Sequence, residues 1–101
     1  MGKIEILKNI IVVALKVNKY RDIWISEDYL FNVLKENYRY VGEKSLMKRA
    51  MTALKDQNPY HYNINERSIS NKRITFYYVS SNGVIPDTSS ISHSDWESIH
   101  L

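Results

Sequence analysis

The chain has 101 residues, no cysteine and a formal net charge of +3. That length fits one domain with a single core, and the lack of cysteine excludes disulfides, thiol catalysis and cysteine-held zinc and fits an intracellular protein. Fourteen cations stand against eight acids up to Ser80, a net of +6, and three acids (Asp87, Asp95, Glu97) with no cation follow, so the body favours a polyanionic partner.

Lys3 to about Asn18 carries Ile4, Leu7, Ile10, Ile11, Ala14 and Leu15 at spacings of three and four, which predicts a first helix with a core-facing stripe. Ile6, Val12, Val13 and Val17 widen that stripe beyond what a small domain needs to bury. Either this helix is central and packed on both sides, or the surplus is a homodimer contact. The run Ile10 to Val17 is broken by Lys16 and falls short of the roughly 20 residues that a membrane span takes. No small-residue cleavage site follows the Lys3-led start, so neither a span nor a signal peptide is expected.

A polar connection, Asn18 to Asp22, leads to the short β-like run Ile23-Trp24-Ile25. Ser26 is a good N-cap, and Glu27 and Asp28 follow in the first turn, where acids favour the positive end of the helix dipole. A second helix is predicted from Glu27 to about Asn37, with Tyr29, Leu30, Val33 and Leu34 on its apolar face. Asn37 to Gly42 is the turn, with Gly42 placed to let the backbone bend into the next helix.

Gly42 to Gln57 has two unlike faces. Leu46, Met47, Ala50, Met51, Ala53 and Leu54 recur at the period of a buried helical stripe. Lys44, Ser45, Lys48, Arg49, Thr52 and Lys55 recur on the other side: four cations, two small hydroxyl side chains and no acid. A face built only for solubility usually mixes signs, because opposite charges three or four apart support each other. This one is expected to lie against something negative.

Asn58-Pro59 is a firm break. Tyr60, Tyr62 and Ile64 alternate with His61 and Asn63, and Ile74, Phe76 and Tyr78 alternate with Thr75, Tyr77 and Val79, which predicts two strands of a hairpin. Tyr60, Tyr62 and Tyr78 are read as core aromatics, with His61 and Tyr77 facing solvent. Between the strands, Asn65 to Arg73 is polar apart from Ile69 and reads as a loop with the cations Arg67, Lys72 and Arg73 at its tip. From residue 81 to 101 the chain is rich in serine, mildly acidic and expected to be flexible, except that Ser92 or Ser94 is placed to cap a short turn carrying Trp96 and Ile99.

The order helix, short strand, helix, turn, basic helix and hairpin resembles the winged-helix family, a variant of the helix-turn-helix. The likeness rests on Ile23-Trp24-Ile25 leading into Ser26, the Glu27–Asn37 and Glu43–Gln57 pair, and the Tyr60–Val79 hairpin. Size and the heavy use of Ile, Lys and Tyr are similar to those of small winged-helix proteins of archaeal viruses and plasmids. The resemblance implies an α+β fold over residues 1–80. Three helices would pack on a small antiparallel sheet made of the short strand near 23–25 and the hairpin near 60–79. It further implies a double-stranded DNA partner and a role in transcription regulation, with the third helix in the major groove and the hairpin loop on the backbone or minor groove. A major groove about 12 Å wide admits one helix. On that reading Lys44, Ser45, Lys48 and Arg49 are placed to read bases, Thr52 to meet a base edge or phosphate, and Lys55 to hold phosphate. Arg67, Lys72 and Arg73 form a second phosphate clamp.

Other chemistries have less to rest on. His61, His93 and His100 are scattered without metal-ligand spacing. Glu27-Asp28 is explained as a helix start, and a tyrosine nucleophile would need clustered arginine and histidine around it, which 101 residues hold no second domain to supply. No enzyme, metal or cofactor is expected. A sheet this small lacks the four-stranded platform usual for single-strand binding. The rival reading is a winged helix used as a protein-interaction module, with the first helix and the Trp96 segment meeting a partner.

Overall fold

A computed structural model describes residues 2–16 and 20–100. The elements are α1 (Lys3–Lys16), β1 (Trp24–Ser26), α2 (Glu27–Tyr38), α3 (Lys44–Gln57), β2 (Tyr62–Ile69), β3 (Lys72–Val79) and α4 (His93–His100), with a 3-10 turn at Thr88–Ser90 before α4. The architecture is α+β: the described residues form four helices and one three-stranded antiparallel sheet in the order β1-β3-β2. Among the described residues no helix is long and apolar enough to cross a membrane.

The predicted start of α2 is present. The Ser26 hydroxyl accepts the Tyr29 N–H at 3.1 Å, satisfying one of the donors that a helix start leaves over. Arg39, with φ 55°, ends the helix in the left-handed conformation, and Tyr40 N–H donates to Leu34 O at 3.0 Å. The bend between α2 and α3 therefore belongs to Arg39. Gly42 serves a different purpose. Its missing side chain makes room for the Tyr40 ring, with which a Cβ would collide, and the Tyr40 hydroxyl donates to Glu43 O at 2.7 Å.

The hairpin is longer and tighter than its polar sequence predicts. Residues 65–69 continue β2, and Ile69 pairs with Lys72 across a turn of only Ser70 and Asn71. Both have positive φ, 52° and 65°, as two-residue hairpin turns of matching twist require. The expected nine-residue loop does not exist. Alternation then assigns two faces. Tyr62, Ile64, Glu66, Arg73, Thr75, Tyr77 and Val79 face the helices, whereas Arg67, Ile69, Lys72, Ile74, Phe76 and Tyr78 face away.

Each face has its own core. On the helical side, Leu7, Ile11, Ala14 and Leu15 of α1, Leu30 and Leu34 of α2, and Met47, Ala50, Met51 and Leu54 of α3 enclose Ile25, Tyr62, Tyr77 and Val79. On the outer side, Trp24, Ile69, Phe76 and Tyr78 are covered by Trp96, which is 2% exposed. The Trp96 ring lies 4.8 Å from Phe76 and 5.4 Å from Trp24, centroid to centroid. The turn expected to stand apart from the tail is α4: Ser92 Oγ accepts the Asp95 N–H at 3.2 Å as the predicted cap, and Trp96 and Ile99 pack into this second core. The tail's polar composition hides four apolar residues, Ile85, Ile91, Trp96 and Ile99, that cover the outer face of the sheet.

Two tyrosine assignments change. Tyr60 precedes β2 and is 73% exposed, whereas Tyr77 is fully buried because the helices cover its face. Its hydroxyl donates to the Glu27 carboxylate. Burial, then that hydrogen bond and the Glu27 charge, push the Tyr77 phenol far above its ordinary value. His61 also lies before β2, half-buried, with Nδ1 2.8 Å from Ser80 O.

Candidate nucleic-acid interface

The sequence places nine polar or cationic side chains at the interface, and the fold divides them. Ser45, Lys48, Arg49, Thr52, Ala53 and Asp56 line one shallow concavity along the solvent side of α3. All six come from α3, and four of them, Ser45, Lys48, Arg49 and Thr52, from its expected cationic face; the helix period puts them together because Met47, Ala50, Met51 and Leu54 hold the opposite side in the core. Asp56 was not counted on that face, and its carboxyl lines the same concavity. The face is therefore less one-sided than its sequence reads.

Acids from other elements add to this. Lys44, at the start of α3, is ion-paired with Asp28 of α2 and stands 5.5 Å from the Phe31 ring centroid. Ser45 Oγ donates to the Glu43 carboxylate at 3.3 Å, and Thr52 Oγ1 donates to Lys48 O at 2.9 Å. Lys48 Nζ meets Glu66 Oε1 at 3.2 Å, and Arg73 Nε meets Glu66 Oε2 at 2.7 Å. The Arg73 hydrogen bond first, and the Lys48 hydrogen bond and charge next, hold the Glu66 carboxyl below the usual glutamate range. Among the described residues, no carboxylate lies within ion-pair distance of Arg49, Lys55 or Lys72.

The hairpin cations do not act as one clamp. Arg73 faces α3 and joins its field through Glu66. Arg67 faces the other way, with its guanidinium 5.0 Å from the Trp96 ring centroid and its Nε buried. Lys72 alternates onto that same outer side, exposed. Strand alternation is the reason: residues 67 and 73 are not on one loop tip but on opposite faces of a two-stranded ribbon. The cationic surface that the fold assembles is Lys44, Ser45, Lys48, Arg49, Thr52 and Lys55 of α3 with Arg73 of β3, trimmed by Asp28, Asp56 and Glu66. Glu66 is the residue that sequence reasoning missed. It continues the Tyr62-Ile64 face of the strand, but residues 65–68 are polar on both sides and carry no signal that the strand goes on.

Comparison with known protein families, curated proteins and solved structures finds no match. Among the described residues there is also no group of three histidines, cysteines or carboxylates close enough to hold a metal ion.

The apolar surplus of α1 divides as well. Ile6 and Val13 are half exposed, while Val12 packs against the helical core and Val17 lies outside the described residues. Ile6, Leu7 and Ile10 join Tyr38, Val41 and Leu46 around an apolar groove of about 400 Å³ between α1 and the α2–α3 connection. Val41 stands at its edge, 98% exposed.

Proposed function

We propose that the chain is a winged-helix protein that binds double-stranded DNA and regulates transcription, with α3 entering the major groove. The observation that carries this reading is the solvent face of α3. It projects Ser45, Lys48, Arg49 and Thr52 along one concavity, with no carboxylate among the described residues within ion-pair distance of Arg49 or Lys55, and with Arg73 of the hairpin brought alongside. The element order and the β1-β3-β2 sheet support it too, since they set a hairpin beside the helix that would read bases. Arg49 and Lys48 are suited to guanine, and Ser45 and Thr52 to either a base edge or a phosphate. Arg67 is left out of the contact set because Trp96 holds it on the other side of the sheet.

The test is duplex binding by fluorescence anisotropy across a salt series. Affinity is expected to fall steeply with salt, and Lys48→Ala/Arg49→Ala is expected to abolish it while leaving the circular dichroism spectrum unchanged. Binding that survives this double substitution sinks the assignment of α3.

A second reading is a protein-interaction module, favoured by the apolar groove and by Val41, which the Arg39–Gly42 turn holds out in solvent. A homodimer through Ile6 and Val13 of α1 is compatible with either reading. Sedimentation analysis at rising concentration decides it, since a strict monomer removes the dimer and a C2 pair would predict palindromic sites.

A further inference from the structure

We propose that Lys48 and Arg73 form one site for a single backbone phosphate, and that the Glu66 carboxylate, which now holds both cations, is the group that the phosphate displaces. This rests on the duplex-binding reading above.

The two cations come from different elements, α3 and β3, yet each meets one oxygen of the same carboxylate, at 3.2 Å and 2.7 Å. A phosphodiester offers what Glu66 offers, one negative charge shared by two acceptor oxygens, and it too takes charge-assisted hydrogen bonds from ammonium and guanidinium groups. Glu66 thus marks the place where the helix and the hairpin converge on an anion. All three side chains are open to water, with relative exposures of 45% for Lys48, 32% for Glu66 and 72% for Arg73. Ion pairs this exposed are weak and screened by salt. An entering duplex releases condensed counterions and brings neighbouring phosphates with it, so exchange of one carboxylate for one phosphate is favourable.

The other neutralised cation differs. Lys44 meets Asp28 alone, and Asp28 sits in the first turn of α2, where the helix dipole favours it. Among the described residues no second cation is ion-paired with Asp28, so it offers no comparable site.

The consequence is that Glu66 lowers affinity while keeping Lys48 and Arg73 aligned. With a fluorescein-labelled duplex of mixed sequence, Glu66→Gln is expected to bind about fivefold tighter at low salt, the effect of removing one exposed competing charge, with the gain shrinking as salt rises. In a Lys48→Ala/Arg73→Ala background the same Glu66→Gln change is expected to give no gain. A gain that persists there reflects bulk charge and overturns the shared site, as does equal or weaker binding by Glu66→Gln alone. The wild-type chain supplies a readout that needs no substitution: the Arg73 Nε–H resonance is expected to shift on titration with duplex, and a resonance that stays fixed while the duplex binds overturns the exchange. If neither the wild type nor any variant binds duplex, the DNA reading itself fails. If the wild type binds in a way that Lys48→Ala/Arg49→Ala abolishes but Glu66→Gln does not alter, only the phosphate site fails.

Discussion

The two faces of the sheet are covered by very different amounts of protein. The helical face is closed by α1, α2 and α3 together, which set ten buried apolar side chains over Ile25, Tyr62, Tyr77 and Val79. The outer face presents an equally aromatic surface, Trp24, Phe76 and Tyr78, yet its buried cover is the single side chain of Trp96, helped at the edges by Ile85, Ile91 and Ile99. The same three strands thus serve a redundant core on one side and a core resting on one residue on the other. Loss of any one contact is shared among many neighbours in the first case and by very few in the second.

Removing the cover should break this comparison most. Trp96→Ala is expected to cost about 3–5 kcal/mol, the range for emptying a buried aromatic site, read from urea unfolding. The near-ultraviolet signal of Trp24 should change while the far-ultraviolet helical signal of α1–α3 persists below the transition. A cost under about 1 kcal/mol would mean that the outer face is not a core at all.

Neighbouring tyrosines sharpen the contrast. Tyr77 and Tyr78 point to opposite faces, but only the Tyr77 hydroxyl donates to a carboxylate, that of Glu27. Tyr77→Phe is expected to cost about 1.5–3 kcal/mol, as for a hydrogen bond to a charged group, and Tyr78→Phe well under 1 kcal/mol. Equal losses would remove the distinction. A small effect is also expected at Arg67, whose guanidinium lies over Trp96. Arg67→Ala should cost about 0.5–1 kcal/mol of stability and leave duplex affinity close to wild type, whereas Arg73→Ala should do the reverse. A marked loss of duplex binding with Arg67→Ala would return it to the interface.

Much of this arrangement was legible in the residues. The stripes of α1, α2 and α3, the Ser26 cap and the alternation of Ile74, Phe76 and Tyr78 are local patterns, and local patterns survive into the fold. The end of β2 was not legible, because Asn65, Glu66, Arg67 and Ser68 are polar on both sides of the strand and alternation leaves no trace when neither set is apolar. The hairpin cations were grouped by nearness in sequence, whereas the strand's two-residue period separates Arg67 from Arg73. The neutralising acids were invisible for a different reason: Asp28 and Glu66 lie 16 and 18 residues from their lysines, and only tertiary packing brings them there. Tyr60 failed because it falls one step before the strand it was assigned to.

The position of Trp96 has a consequence for chains that are cut. Every aromatic residue it covers precedes it, and Trp96 stands seventeen positions after Val79. Cleavage anywhere in that interval leaves α1–α3 and all three strands on one fragment, with Trp24, Ile69, Phe76 and Tyr78 bare to water once α4 departs. Such a fragment would carry a finished helical half and a sticky aromatic surface, the kind of surface that holdase chaperones bind and that drives like chains to coalesce.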